Sequence, residues 1–252
     1  MIFTNLIKTN LRTKQFGKDI EYYQRLKSTN RQAWELIQVD KAKHGMIIIT
    51  DNQFDGKGRG GNTWFMSPSK GIAMSIILIK KFSLNDALLI PIAAGVAVAK
   101  TLSYRGGNPK LKWPNDILLN KKKCGGILCE SKISNHIVKK MVIGIGLNIN
   151  ESIADFPKSI NKSATSLAIE TKHPNQRELV CAIFITYFEQ LLDHLDSCIK
   201  DWLSYCVHLD KPVSFSYNGS NYCGIFKGID HSGHALIEID RKEKLFPSIL
   251  IN

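Results

Sequence analysis

The chain has 252 residues, of which 44% are hydrophobic and 22% charged, and its formal net charge is +12. This length suffices for one substantial hydrophobic core, and the excess of positive charge favours acidic partners such as nucleotides, acidic proteins or nucleic acid. The longest apolar stretch, 87–99, is shorter than the roughly 18–20 residues that cross a bilayer, and no secretory signal is evident, so these features argue against a membrane protein and an exported one.

The cysteine and histidine content predicts neither disulfides nor a metal centre. Six cysteines are spread along the chain without a C-x-x-C pair, which is typical of reduced thiols in a cytoplasmic protein. His231 and His234 are three residues apart but have no cysteine pair nearby. We therefore expect no zinc site there.

The first part of the chain predicts a short lead-in or irregular helix over 1–19 and a strand over 20–26. Ser28-Thr29-Asn30 then precedes apolar residues at helical spacing over 33–37. Ser, Thr and Asn are favoured N-cap residues, so a helix cap is the simplest interpretation of this triplet. Free amides and hydroxyls at a helix start can also hold a small polar ligand, which is the alternative interpretation.

A glycine-rich loop follows an apolar run at 46–50 that is typical of a buried strand. Its glycines are Gly56, Gly58, Gly60 and Gly61, with cationic residues between them. Glycine lets backbone amides approach a ligand closely, and interleaved cations suit an anion; a flexible surface hairpin is the alternative. The formal G-x-G-x-x-G match is not followed by a helix but by a β-rich run over 72–79, so we expect the loop to connect two strands.

The middle of the chain predicts a helix over 83–102, in which Pro91 introduces a kink or begins a second helix. The segment 110–131 is typical of a hairpin with a tight turn at 120–123. A further strand over 137–150 carries Gly144, Gly146 and Asn148 at alternating positions. Residues two apart share one face of a strand, so this face should leave a slot for a flat group, or else be closely packed by another element.

The last part of the chain begins with apolar residues at helical spacing over 175–199, which predict one long amphipathic helix. From about residue 207 the pattern changes to short alternating strands, with Asn218-Gly219 as a hairpin turn. We expect a small β-barrel packed on the main domain. The predicted division is a catalytic domain at 1–206 and a barrel domain at 207–252.

Four elements with ligand-binding chemistry occur in the same order and at similar separations as in one known family. From about Gly17 to the C-terminus, the chain resembles the biotin protein ligases. The motifs that carry the resemblance are Ser28-Thr29-Asn30, the glycine loop ending at Trp64, Lys112-Trp-Pro-Asn-Asp, Lys123-Cys-Gly-Gly-Ile and Gly144-Ile-Gly-Leu-Asn148.

The resemblance implies an α+β fold: a central mixed, mainly antiparallel sheet with helices packed on it, similar to class II synthetases, plus a small C-terminal SH3-like β-barrel. Some family members carry an N-terminal helix-turn-helix that binds DNA. With the Ser-Thr-Asn triplet already at 28–30, we expect the stand-alone form without that domain.

The activity implied by the resemblance is an ATP-dependent ligation in the cytoplasm. The biotin carboxylate attacks the α-phosphate of ATP, giving biotinyl-5′-AMP and pyrophosphate, and a lysine of a biotin carboxyl carrier protein then takes the biotinyl group and releases AMP. ATP and biotin are substrates and Mg²⁺ is the implied cofactor. We expect no membrane and no specific DNA partner, whereas a homodimer through edge strands remains open.

The resemblance also implies roles for individual residues. Catalytic roles fall to Lys123 and Arg59, whose charge offsets that of a carboxylate meeting a polyanion, and to Asp116, which lies near the Mg²⁺–phosphate site and orients or deprotonates the incoming lysine. The residues implied for biotin are Ser28, Thr29, Asn30, Gln53, Lys57, Gly58, Arg59, Lys123, Gly126, Gly144 and Gly146. Those implied for the nucleotide are Arg59, Trp64, Lys112, Asn115, Asp116, Lys123 and Asn148.

The glycine loop departs from the family pattern. Gly60 and Asn62 stand where the family often carries arginine, which puts loop mobility and retention of the adenylate in doubt. A lipoate-type protein ligase is the nearest alternative function, although the Ser-Thr-Asn and Gly-Ile-Gly-Leu-Asn motifs favour biotin. A basic nucleic-acid-binding module is the alternative from another class, and its aromatic and basic pattern is sparse here.

Overall fold

A computed structural model describes residues 1–134, 137–247 and 249–251. Its helices are α1 (Thr4–Asn10), α2 (Thr29–Gln38), α3 (Leu84–Tyr104), α4 (Leu167–Thr171), α5 (Arg177–Leu192) and α6 (Cys198–Tyr205). Its strands are β1 (Ile20–Tyr23), β2 (Ile47–Thr50), β3 (Gly56–Lys57), β4 (Thr63–Trp64), β5 (Ile72–Ser83), β6 (Pro109–Lys112), β7 (Asp116–Leu119), β8 (Lys122–Ser134), β9 (Ile137–Leu147), β10 (Lys211–Tyr217), β11 (Ser220–Ile229), β12 (Ala235–Ile239) and β13 (Lys242–Phe246).

Seven strands form the central sheet, in the order β1-β2-β5-β9-β8-β7-β6. The β1–β2 pair is parallel and the other neighbours are antiparallel, which confirms the predicted mixed, mainly antiparallel sheet. Apolar side chains that alternate along β2 and β5 reach both faces of the sheet. One face packs against α3 and α5, and the other packs against α2 through Ala33, Leu36 and Ile37.

The longest helix, α3, begins where the Ser83 hydroxyl accepts a hydrogen bond from the amide of Asp86 at 3.0 Å. It continues through Pro91 as one helix, so the alternative of a second helix starting there is wrong. At 21 residues it is long and apolar enough to cross a membrane, contrary to the length estimate from the sequence, although 72% of its apolar window is buried inside this fold.

Three predicted elements end earlier than expected, one of them the strand predicted over 137–150, which stops at Leu147. The strand predicted over 20–26 stops at Tyr23, and Leu26 pairs again only through an isolated bridge to Gln53. The single helix predicted over 175–199 is broken after Leu192. The amides of Asp193 and His194 bond to carbonyls three residues back, which tightens the chain into a turn before α6 begins. The break lets Trp202, 2% exposed, pack into the core.

The remaining four long strands, β10 to β13, form an antiparallel sheet in sequential order, compatible with an SH3-like barrel. Asn218 and Gly219 have positive φ values of 51° and 79° and form the predicted β10–β11 turn. The indole N–H of Trp113 donates to the carbonyl of Gly233 at 3.2 Å, linking the two sheets. Their apolar residues belong to one continuous core, and the division at residue 207 stays a prediction.

Candidate active site

A cavity of about 160 Å³ opens between the start of α2, the glycine loop and strands β7 to β9. Every residue implied for biotin lines it, as do Arg59, Trp64, Lys112, Asn115, Asp116 and Lys123 from the nucleotide set. Asn148 is the exception. The elements that carry these motifs are distant in sequence, and the sheet order brings them to one place.

The Ser-Thr-Asn triplet caps α2 and also binds the glycine loop. The Ser28 hydroxyl accepts a hydrogen bond from the amide of Arg31 at 3.5 Å, as predicted for a cap. The backbone N–H of Thr29 donates to the side-chain oxygen of Gln53 at 2.9 Å, and its hydroxyl lies 3.3 Å from the same oxygen. The same residues therefore cap the helix and hold Gln53 of the loop.

The side-chain amide of Asn30 hydrogen-bonds to other groups of the protein. Its nitrogen donates to the carbonyl of Leu128 at 3.1 Å and to the carboxylate of Glu130 at 2.7 Å, and its oxygen accepts from the Ser75 hydroxyl at 2.7 Å. A Cβ added at Gly144 would lie 2.3 Å from that oxygen, so the glycine makes room for Asn30. Direct contact of Asn30 with a ligand stays a prediction.

The slot predicted on β9 is filled by the glycine loop itself. A Cβ at Gly146 would lie 2.5 Å from the indole of Trp64, so the flat group on this glycine is a side chain of the same protein. This agrees with the alternative that another element packs closely there. The indole Nε1 is buried and has no hydrogen-bond partner among the residues that the structure describes.

Trp64 also lines a second cavity, of about 740 Å³. Asn148 lines this one, beyond the end of β9, rather than the Gly144–Gly146 face. Phe65, Phe156 and the segment 157–164 form its walls, and Gln53, Trp64 and Lys123 line both cavities. Asn62 and Thr63 line both as well, so the two spaces adjoin along these five residues, of which Lys123 carries the positive charge.

Lys123 is fixed by its backbone and paired by its side chain. Its amide donates to the carbonyl of Ser163 at 2.8 Å, and its carbonyl accepts from the amide of Thr165 at 2.9 Å. A bulge interrupts the β7–β8 pairing here, a device that re-aims side chains. The Lys123 ammonium lies 2.6 Å from the carboxylate of Asp116, and both groups face the first cavity.

Arg59 lies in the most exposed part of the loop, yet its guanidinium is half-buried over the ring of Trp113, 5.9 Å from the ring centroid. This burial lowers the pKa of Arg59 below its ordinary value, because removal from water disfavours the charged form. Gly60, one of the two departures from the family pattern, has a φ of 66°, which favours glycine. Asn62, the other, donates to the carbonyl of Arg59 at 2.9 Å.

The described residues contain no group of three or more His, Cys, Asp or Glu side chains that could hold a metal ion. Asp116 and Asn115 are the adjacent oxygen-bearing side chains of the first cavity. The amide nitrogen of Asn115 donates to the carbonyl of Ile127 at 2.9 Å, which leaves its oxygen as the ligand group. One carboxylate and one amide oxygen suit Mg²⁺ that takes most of its ligands from phosphates and water.

Several residues at the site were not predicted from the sequence. Ser75 is fully buried behind the triplet, where its hydroxyl lies 2.7 Å from Thr29 Oγ1 and Asn30 Oδ1. A single serine inside the apolar run 72–79 is the pattern that marks it. Leu250 and Phe156 reach the cavities only through the tertiary fold, so no local pattern identifies them.

A model of the biotin/lipoate A/B protein ligase family matches residues 22–148. The bifunctional ligase/repressor BirA of Bacillus subtilis is 32% identical over 240 residues, which cover 92% of this chain and 73% of that protein. A biotin–[acetyl-CoA-carboxylase] ligase of Paracoccus denitrificans is 29% identical over 235 residues, with 89% and 96% covered. The solved structure of a biotin protein ligase from Aquifex aeolicus, in complex with biotin and ATP, superposes with a TM-score of 0.79 at 24% identity and covers 93% of this chain and 99% of that one, which supports the fold.

Proposed function

This chain belongs to the biotin/lipoate A/B protein ligase family, and from that membership we propose that it is an ATP-dependent biotin–protein ligase. The reaction proposed is the activation of biotin as biotinyl-5′-AMP and the transfer of the biotinyl group to a lysine of a biotin carboxyl carrier protein. Similar proteins named as biotin ligases support this choice of substrate.

The observation that carries the proposal is the meeting of two cavities at Lys123. The first cavity, with its small polar groups at Ser28, Thr29 and Gln53, suits the compact ureido group of biotin. The second, with aromatic walls and Asn148, suits an adenosine. The biotin carboxylate and the α-phosphate then come together beside the Lys123 ammonium, where a fixed cation stabilises the charge that concentrates in the transition state.

Asp116 has two tasks in this mechanism. Before substrates bind, its carboxylate pairs with Lys123 at 2.6 Å and keeps that side chain facing the first cavity. Once the adenylate has formed, the phosphate competes for the Lys123 ammonium, and Asp116 becomes free to accept a proton from the ammonium group of the incoming lysine. The resulting neutral amine attacks the biotinyl carbonyl, and the bond from this carbon to the phosphate oxygen breaks. AMP leaves, and the nitrogen loses its second proton to the departing phosphate or to water as the amide forms.

Magnesium is the proposed cofactor, carried in with ATP. It would neutralise phosphate charge when bound, and Asp116 and the side-chain oxygen of Asn115, which line the first cavity, would contact it. The chain's own contribution is to position these two oxygens on the first cavity beside Lys123.

The remaining proposals concern partners and location. We propose that the reaction takes place in the cytoplasm, with no specific DNA site, and that the predicted division into a catalytic domain and a barrel holds in solution. A homodimer through edge strands is proposed at β1. The other outer strand, β6, is covered near Leu111, whose carbonyl accepts from the amide of Val207 at 3.0 Å.

The decisive experiment is biotin-dependent ATP–pyrophosphate exchange, followed by transfer of labelled biotin or labelled lipoate to carrier domains. Exchange that requires biotin, and transfer of biotin alone, are the expected results. Transfer of lipoate alone would replace the proposal with the lipoate-type alternative. A filter-binding titration with DNA should give weak binding that falls steeply with salt, as expected for charge attraction without a specific site.

A further inference from the structure

Arg177 lies outside both cavities and connects the two ends of the glycine loop. It is the first residue of α5 and is 7% exposed. One guanidinium nitrogen, Nη2, lies 2.8 Å from Oδ1 of Asp51, the residue that directly follows β2. The other, Nη1, donates to the carbonyl of Gly71 at 3.2 Å, directly before β5. A single side chain thus binds both ends of the loop 52–70.

Asp51 accepts further hydrogen bonds beside its contact with Arg177. Its Oδ2 accepts from the Tyr22 hydroxyl at 2.6 Å and from the amide of Ile2 at 3.0 Å. Its carbonyl accepts from the amide of Ser69, at the far end of the loop, at 2.8 Å. Burial alone would raise the pKa of this carboxyl, but the hydrogen bonds from Tyr22 and Arg177 and the charge of Arg177 lower it.

The far end of the loop has little freedom to adapt. A Cβ at Gly71 would lie 2.6 Å from the carboxylate of Glu151 and 2.8 Å from the carbonyl of Leu147. The neighbouring Lys70 carbonyl accepts from the amide of Asn150 at 3.1 Å. Gly71 is therefore fixed against the end of β9, and Arg177 sets the position of Asp51 relative to it.

The position of Asp51 determines the position of Gln53, which comes two residues later and lines the first cavity. The side-chain oxygen of Gln53 accepts a hydrogen bond from the amide of Thr29. Gly56 pairs with Trp64 across β3 and β4. A shift of one loop end would move both the Gln53 amide and the Trp64 indole. Lysine has a single terminal nitrogen, which cannot reproduce the two separate contacts that Nη1 and Nη2 of the planar guanidinium make.

We propose that Arg177 is a positioning residue of the active site, and we call its contacts to Asp51 and Gly71 the clamp. It fixes the separation of the loop ends and thereby holds Gln53 and Trp64 against the ligands. Its effect on ligands rests on the proposed function, while its effect on the loop does not.

The test compares Arg177→Lys and Asp51→Asn with Ile185→Val, a core substitution in the same helix at a fully buried position. Trypsin cleavage after Lys57 and Arg59 measures loop opening, and calorimetry measures biotin affinity. Both clamp variants should be cut about tenfold faster in the loop and bind biotin about tenfold more weakly, as expected for the loss of one hydrogen bond to a charged group. Ile185→Val should match the parent in both measurements.

Equal loop cleavage in parent, Arg177→Lys and Asp51→Asn would overturn the clamp, and so would an equal change in Ile185→Val. If one clamp variant does not fold, the other decides, since Asp51→Asn keeps the shape of the carboxylate and Arg177→Lys keeps the charge. A parent that binds no biotin would refute the proposed function instead, and the cleavage rates would still test the clamp.

Discussion

At the scale of single residues, the site depends on side chains with more than one contact. Lys123 is held at its backbone by Ser163 and Thr165 and at its ammonium by Asp116. Asn30 has contacts to three residues, which fix the face of the sheet on which Gly144 lies. The chemistry needs positions that do not relax when the substrates arrive, and such networks supply them.

Lys123→Ala should abolish most adenylate formation while leaving the fold intact. The variant lacks the cation that stabilises the developing charge, a loss typically worth on the order of 10²–10³ in rate for one such group. ATP–pyrophosphate exchange measures the first step, and far-ultraviolet circular dichroism checks the fold. Lys122→Ala, one residue away and outside both cavities, is the control. Unchanged exchange in Lys123→Ala would contradict the assigned role.

Glu151 predicts a dependence of stability on pH. Its carboxylate is 1% exposed, and this burial raises its pKa from 4.5 to about 7. Between these two values the unfolded chain ionises while the native carboxyl keeps its proton. Stability is therefore full below pH 4.5 and falls as the pH rises to 7, by roughly 3 kcal/mol for this group.

Glu151→Gln should remove this dependence. Urea unfolding from pH 4.5 to 8 should show a smaller decline in the free energy of unfolding than the parent shows, and the variant should be the more stable protein at pH 8. Glu243→Gln, at an exposed position of β13, should follow the parent curve. Parallel curves for Glu151→Gln and the parent would rule out the burial argument.

At the scale of elements, the glycine loop is a hairpin whose tip carries the charge. Its strands β3 and β4 are two residues each, and the chain between them is exposed except where Arg59 turns back over Trp113. Asn62 contacts the backbone of Arg59 in this chain, and Gly60 carries no side chain at all. Arg59 is therefore the cation at the tip, and it lines the first cavity together with Lys57 of β3.

Arg59→Gly should weaken the retention of the adenylate. The preformed biotinyl-AMP would dissociate faster, by roughly tenfold or more for the loss of one hydrogen-bonded charge, and nearby lysines of other proteins would become biotinylated. Stopped-flow measurement of adenylate release compares the variant with its parent and with Arg12→Gly, an exposed position on another surface. Equal release rates in all three proteins would rule out a role of Arg59 in retaining the adenylate.

The elements also show where sequence patterns suffice and where they do not. The triplet, the glycine loop and Gly144–Gly146 were predicted at one site, and the structure brings them together because each motif combines local chemistry with a strand or helix boundary. The break after Leu192 was missed because apolar spacing continues through Leu195 and Ile199, and only the turn at Asp193 and His194 interrupts it. Leu250 and Phe156 act through tertiary contacts that no local period encodes.

At the scale of the whole molecule, the two sheets meet around His208. The imidazole packs on Phe226, with ring centroids 5.7 Å apart, and its Nε2 is buried without a hydrogen-bond partner among the residues described. Burial first, and then the charges of Lys112 and Lys211, lower the pKa of His208 to about 4. The neutral ring is therefore part of the contact between the sheets.

Acid should destabilise the molecule through this contact. Between pH 6.5 and 4 the unfolded chain protonates His208 while the native state does not, so stability is present above pH 6.5 and is lost as the pH falls. His208→Phe should lose less free energy of unfolding over this range in urea titrations. His231→Gln, on an exposed histidine, is the control. Identical losses in His208→Phe and the parent would exclude His208 as the cause.

The indole of Trp64 has a consequence for the order of events in catalysis. The indole lines both cavities, and its buried N–H has no acceptor among the residues that the structure describes. Any movement of the loop therefore changes the first and the second cavity together. Binding of one substrate should thus alter the affinity for the other, which links the two binding events before any bond forms.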